Sequence, residues 1–178
     1  MNYIEKKLLE DCKNELCDDH TVYNIGRYCS ASSNISYFDE DGNTALHLIC
    51  KRESREFKLE IVRILIRNGA NVNAENFNKK TPLHLLCEKS KHFEDSISIV
   101  NILIRNGCDI NALDNNGKSP IKIAYDSGTF IWFLTFLIQC GANIDTFDKM
   151  YNSNIDFSLL KKIVDSRPDQ EQEVVWRN

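Results

Sequence analysis

The chain predicts an all-α solenoid of helix-turn-helix units joined by β-hairpin loops, and three observations carry that expectation. The first is a recurring phrase. Asp41-Gly42-Asn43-Thr44-Ala45-Leu46-His47-Leu48 returns as Asn78-Lys79-Lys80-Thr81-Pro82-Leu83-His84-Leu85 and, more weakly, as Asn116-Gly117-Lys118-Ser119-Pro120-Ile121-Lys122-Ile123. The second is an apolar run behind each copy, centred on Ile61-Val62, Ile99-Val100 and Phe133-Leu134. The third is a closing turn: Gly69-Ala70-Asn71-Val72, Gly107-Cys108-Asp109-Ile110 and Gly141-Ala142-Asn143-Ile144. All three features recur in register, so one structural unit is repeated.

Taken in order, residues 1–35 predict an N-terminal helical cap or degenerate repeat without the phrase. Its first helix is expected over 3–17, with Ile4, Leu8 and Leu9 on one side, and its second over Thr21 to Tyr28 with Thr21 as cap. Residues 36–147 predict three repeats, about 39–75, 76–113 and 114–147. In each, Thr44, Thr81 or Ser119 stands at an N-cap, where a side-chain oxygen can accept from the first free amides. Pro82 and Pro120 follow at the first helical position, where the missing N–H is not needed. In the second helices Arg63, Asn101 and Thr135 interrupt the apolar run at one shared position and are expected to face water. Gly69, Gly107 and Gly141 then end those helices in the left-handed region.

Spacing shows where repeats differ. There are 23 residues from Leu46 to Gly69, 24 from Leu83 to Gly107 and 20 from Ile121 to Gly141. The extra residues of the first two fall in the charged connections Lys51–Glu56 and Lys89–Glu94. A solenoid tolerates length there because only neighbouring repeats touch. Lys79 departs from Gly42 and Gly117, and since a positive φ disfavours lysine by about 1 kcal/mol, an altered turn is expected before the second repeat. Residues 148–166 predict a decayed fourth repeat or C-terminal cap, and 167–178 a polar tail.

The phrases resemble the ankyrin repeat, whose signature is Thr-Pro-Leu-His followed two helices later by Gly-Ala-Asp and whose length is about 33 residues. The resemblance implies that His47 and His84 are structural, bonding between turns. Ile and Asn are heavily used, as in Leu65-Ile66-Arg67-Asn68-Gly69-Ala70-Asn71-Val72-Asn73. That usage suggests an AT-rich coding genome and, with the lengthened repeats, looks like the poxviral ankyrin host-range and immune-evasion proteins over roughly residues 36–160. The same bias also occurs in intracellular bacterial effectors and AT-rich protists. The viral resemblance implies a protein of the host cytoplasm that binds a host signalling protein and blocks NF-κB or cell-death responses by occlusion. Many members carry a C-terminal F-box-like segment that recruits a ubiquitin ligase, and no segment of that kind is recognisable up to Asn178. A bacterial effector, a cellular regulatory scaffold, and an N-terminal fragment of a longer ligase adaptor are the alternatives.

Composition and motifs bear on other functions. A net charge of −4 argues against a general nucleic-acid binder. No apolar run has the length of a membrane span, and Met1-Asn2-Tyr3-Ile4-Glu5-Lys6-Lys7 is no secretory signal. Seven scattered cysteines, with Cys50 and Cys87 at small buried positions, suit a reducing compartment, cytosol or nucleus. His20 and His92 stand alone, and Cys12 and Cys17 lack the further ligands of a zinc site. No phosphate loop, nucleophile elbow or acid–base pair emerges. Catalytic residues, metal ligands and cofactors are therefore expected to be none, and the chain is expected to be no enzyme.

A binding role remains. Where the first two repeats have Lys58 and Glu60, then Ser96 and Ser98, the third has Phe130 and Trp132. These aromatics either pack under the C-terminal cap or over the shortened connection, or they form an exposed anchor. Phe77, Leu113 and Phe147 stand at hairpin tips, where polar residues are usual, and a contiguous row of them would form a binding edge. Acidic Asp39, Glu40 and Asp41 at the first tip face either a basic partner or water.

Overall fold

The computed structural model describes residues 3–14, 18–31, 35–53, 58–89 and 93–144. The expected fourth repeat, the polar tail and Phe147 lie outside them. Eight helices are seen among the described residues: α1 Tyr3–Lys13, α2 Asp19–Ala31, α3 Ala45–Lys51, α4 Lys58–Arg67, α5 Pro82–Lys89, α6 Phe93–Arg105, α7 Pro120–Asp126 and α8 Ile131–Gln139. They stack in two rows. α1, α3, α5 and α7 pack in succession as an inner row, and α2, α4, α6 and α8 as an outer one. The fold is all-α, with an isolated antiparallel bridge, Phe38 to Thr44, at the first hairpin.

The core lies between the rows. Leu46, Ile49, Leu83, Leu86 and Ile121 of the inner helices are buried against Ile61, Leu65, Ile99, Leu103, Phe133 and Leu137 of the outer ones. Neither row could bury that surface alone, so stability is a property of neighbouring pairs. Each outer helix ends alike. Ala70, Cys108 and Ala142 donate to Leu65, Leu103 and Leu137 at 3.0, 3.0 and 2.9 Å, while the preceding glycines donate three residues back. With Gly69 at φ 90°, Gly107 at 82° and Gly141 at 103°, this is the Schellman closure that glycine permits. Arg63 is exposed, as the shared polar position requires, and Asn101 and Thr135 are half-buried.

Four local expectations change. The second N-terminal helix starts at Asp19, and its cap is Asp18, which accepts the Thr21 amide and hydroxyl at 2.7 Å each. A carboxylate is the stronger acceptor at a helix start, so it displaces Thr21 from that role. The first helix ends at Lys13, and 15–17 fall outside the described residues. Lys79 adopts φ 55° without altering its turn. Its amide donates to Asn76 O at 2.8 Å, as Gly42 and Gly117 do to Asp39 O and Asp114 O at 2.9 Å. The turn's own hydrogen bonds outweigh the steric penalty. Finally, the Ser119 hydroxyl caps nothing: it is buried without a hydrogen-bond partner among the described residues.

The reason lies three residues on. In the first two repeats the Thr44 amide and hydroxyl donate to His47 Nδ1 at 3.2 and 2.9 Å, and those of Thr81 to His84 Nδ1 at 3.0 and 2.9 Å. The third repeat has Lys122 in place of histidine. Its buried ammonium turns instead to Asp126, which also accepts from Lys118 at 2.7 Å. Burial pushes the Asp126 carboxyl up, but the two ammonium groups outweigh it and hold the group below its ordinary range.

Candidate interaction surface

The hairpins are built identically, and this sets what their tips present. Asp39, Asn76 and Asp114 each turn a side-chain oxygen inward to accept two amides of their own turn, from Asp41 and Asn43, Asn78 and Lys80, Asn116 and Lys118, at 2.8–3.0 Å. Asp39 also meets Lys13 at 3.2 Å, so it is a structural group and no part of an acidic docking patch. Burial raises its carboxyl, and the amides and Lys13 more than reverse that. Neighbouring tips are laced together. The Phe77 amide donates to Asp41 O at 3.1 Å and that of Asn115 to Asn78 O at 3.0 Å.

Along this laced edge Phe77 is 64% exposed and Leu113 48%. Phe38, which inspection of the tips missed, is 52% exposed and meets Phe77 edge-to-face at 5.7 Å and 73°. Tyr37 stacks on Phe38 at 6.0 Å. A usable signal existed: Phe38 precedes Asp39 as Leu113 precedes Asp114, so the repeat register places the two at equivalent positions. The Phe77 backbone also lies hard against Gly42, where an added Cβ would sit 2.8 Å from Phe77 N. The pair is thus set on a rigid hairpin and not on a mobile tip.

Phe130 and Trp132 lie elsewhere. Phe130 is the extended N-cap of α8, and Phe130, Ile131 and Trp132 are 59%, 46% and 41% exposed. Lys58 and Ser96, the counterparts of Phe130 by register, are buried; Lys58 donates to Cys50 O and Arg52 O at 3.1 and 2.7 Å.

Two of the histidines, His47 and His84, join neighbouring repeats. His47 Nε2 reaches Lys80 O at 2.9 Å and His84 Nε2 reaches Lys118 O at 3.1 Å, each joining one repeat to the next. A carbonyl only accepts and the threonine amide only donates, so both rings are neutral with the proton on Nε2. Burial, the largest influence, holds both imidazoles below their ordinary pKa. Asn73 and Asn111 bridge loops in the same way: each donates to a glycine carbonyl of the next repeat and accepts an amide there. Burial pushes the Cys50 and Cys108 thiols up to about 12 and Cys87 higher still, which disfavours their thiolate forms. Among the described residues no cluster of His, Cys, Asp and Glu could hold a metal ion, and no helix is long and apolar enough to cross a membrane.

Stacked helix pairs, hairpin tips in register and cross-repeat histidines define a repeat protein of the ankyrin type. The family model described as ankyrin repeats in three copies matches residues 6–114 and, in an overlapping placement, 54–148. The chain belongs to the ankyrin-repeat family, whose repeats bind proteins. It is 38% identical over 68 residues to a probable serine/threonine-protein kinase of Dictyostelium discoideum, covering 38% of this chain and 8% of the kinase. It is similar to alpha-latroinsectotoxin-Lt1a of Latrodectus tredecimguttatus, 36% identical over 36% of this chain and 4% of the toxin. To the NF-kappa-B inhibitor zeta of Bos taurus it is 39% identical over 26% of this chain and 6% of the inhibitor. The chain thus spans less than a tenth of each of these three relatives.

Proposed function

We propose that this chain is a non-enzymatic interaction module that binds a host signalling protein in the infected cell's cytoplasm and blocks antiviral signalling by occlusion. The carrying observation is the exposed Phe38–Phe77 pair on a hydrogen-bonded edge, continued along the array by Leu113. An edge-to-face pair of this kind presents a large apolar area at little entropic penalty, which is what interface anchors need. Phe130 and Trp132 supply a second contact region at the start of α8. The N-terminal helix pair serves as a degenerate first repeat, a reading supported by α1 continuing the inner row and α2 the outer. The viral setting rests on the Ile- and Asn-rich phrases and the lengthened connections, and an NF-κB-type target is compatible with the short likeness to NF-kappa-B inhibitor zeta.

The test is direct binding to purified NF-κB subunits by calorimetry, beside an NF-κB reporter in transfected cells. Phe38→Ala/Phe77→Ala and Phe130→Ala/Trp132→Ala variants are compared with the parent after their helicity is shown to be unchanged. Binding and repression by the parent, lost in one folded pair, support the reading. A folded parent that neither binds nor represses overturns the NF-κB assignment.

A further inference from the structure

The surface opposite the core carries a second feature unrelated to the hairpin edge. An open groove of about 830 Å³ runs between α2 and α4, lined by Val22, Tyr23, Gly26, Arg27, Ile64 and Arg67 among others. One local feature of it can be read from the repeat register. Ile25, Ile61, Ile99 and Phe133 are fully buried at one shared position. At the next position the later outer helices carry buried Val62, Val100 and Leu134, and α2 carries Gly26. A Cβ built on Gly26 meets nothing within 4 Å. The missing side chain therefore leaves a notch one residue wide within the larger groove, with Ile64 also in its lining.

The charge around the notch is as unusual. Arg27, Arg63, Arg67 and Arg105 are exposed on α2, α4 and α6, at two register positions: Arg27 matches Arg63, and Arg67 matches Arg105. Every exposed arginine among the described residues is one of these four, and none has an ion-pair partner among the described residues, although the chain as a whole is at −4. Arg27 lies 5.9 Å from the ring of Tyr23. The helix dipole accounts for Arg67 and Arg105, each the last residue of its helix, but not for Arg27 or Arg63. Asp19 and Glu60 line the groove too, at the first turns of α2 and α4, so it is acidic at one end and basic at the other.

We propose that this groove docks an acidic segment of a partner protein, with one branched aliphatic side chain in the Gly26 notch and carboxylates on its one side held by Arg27 and Arg67. Guanidinium groups suit carboxylates because they offer two parallel N–H donors. The test uses two fluorescein-labelled peptides, one with a pair of glutamates before a leucine and one with them after it. Fluorescence anisotropy follows their binding to the full chain. At least one should bind saturably, and at least about tenfold more weakly to Arg27→Gln/Arg67→Gln. Gly26→Val, which copies Val62 and Val100 and should fold at least as well, should abolish binding. Replacing the leucine by alanine should act like Gly26→Val. Absence of saturable binding by both peptides, or equal binding to Gly26→Val, overturns the proposal. So does displacement of the peptides by phosphatidylserine vesicles that bind parent and Gly26→Val alike, since that marks an unspecific anion surface.

Discussion

Replacing His84 by leucine should remove the joint between the second and third repeats, and its effect can be worked from the bonds lost. The ring accepts the buried Thr81 amide and donates to Lys118 O. Lys118 O also accepts from Asp114 N at 3.0 Å, so the carbonyl keeps one partner. The amide is orphaned in a site water does not reach, a loss of about 1–3 kcal/mol, while the Thr81 hydroxyl, which also donates to the ring, and the carbonyl each lose one bond worth about 0.5–1.5 kcal/mol. His84→Leu should thus destabilise by about 2–6 kcal/mol. His47→Leu should cost less, because Thr44 is half-buried and water can reach its amide. Urea unfolding at neutral pH measures both. Acidity supplies a second readout. Burial sets both native pKa values below 6.5, so below that pH the unfolded chain takes up protons the native state refuses. Stability is full above pH 6.5 and falls as pH drops from there toward the native values, by at most about 1.4 kcal/mol per unit per histidine. Below the native values that loss is complete and flat. A His47→Leu/His84→Leu chain that is as stable as the parent, or that loses stability just as steeply between pH 6.5 and 5.5, would refute the reasoning.

Three further outcomes are expected. Gly42→Ala should cost more than the ~1 kcal/mol of a forced positive φ, because its Cβ meets the Phe77 backbone, whereas Gly117→Ala has open space and should cost the φ penalty alone; equal losses in urea unfolding would contradict this. Asp126→Asn should destabilise by about 1–3 kcal/mol, because it leaves the buried Lys122 ammonium without its carboxylate. An unchanged midpoint would show that other contacts hold Lys122. Cys50 and Cys87 should react with a disulfide reagent at pH 8 only as fast as the native stack opens, and at once in urea; rapid labelling of the folded chain would show them accessible.

The hairpin edge was partly legible in advance. Phe77 and Leu113 stand out by composition, and Phe38 is recoverable from its equivalence to Leu113, but that Phe38 touches Phe77 is not. The two belong to different repeats, and their contact depends on how far each hairpin is turned against the next. Phe130 and Trp132 stood as open alternatives, packed or exposed, and composition could not foretell that they are 59% and 41% exposed. Lys79 misled for a related reason: a side chain's dislike of positive φ is a local preference, overruled here by a turn that two other repeats show to be strongly held.

From the residues alone, period settles the number and order of the central helices, their buried faces and their glycine ends, because these depend on contacts within a few residues of one another. Tertiary structure alone decides what joins the units: His47 to Lys80, Asn76 to Asn43, Asn73 to Gly107, all across 33 or 34 residues. It also decides that Gly26 leaves a notch and that arginines from α2 and α4 surround it. A repeat's sequence specifies its own helices; the distance and rotation between neighbours come from the summed packing of two whole faces, and no single residue states them.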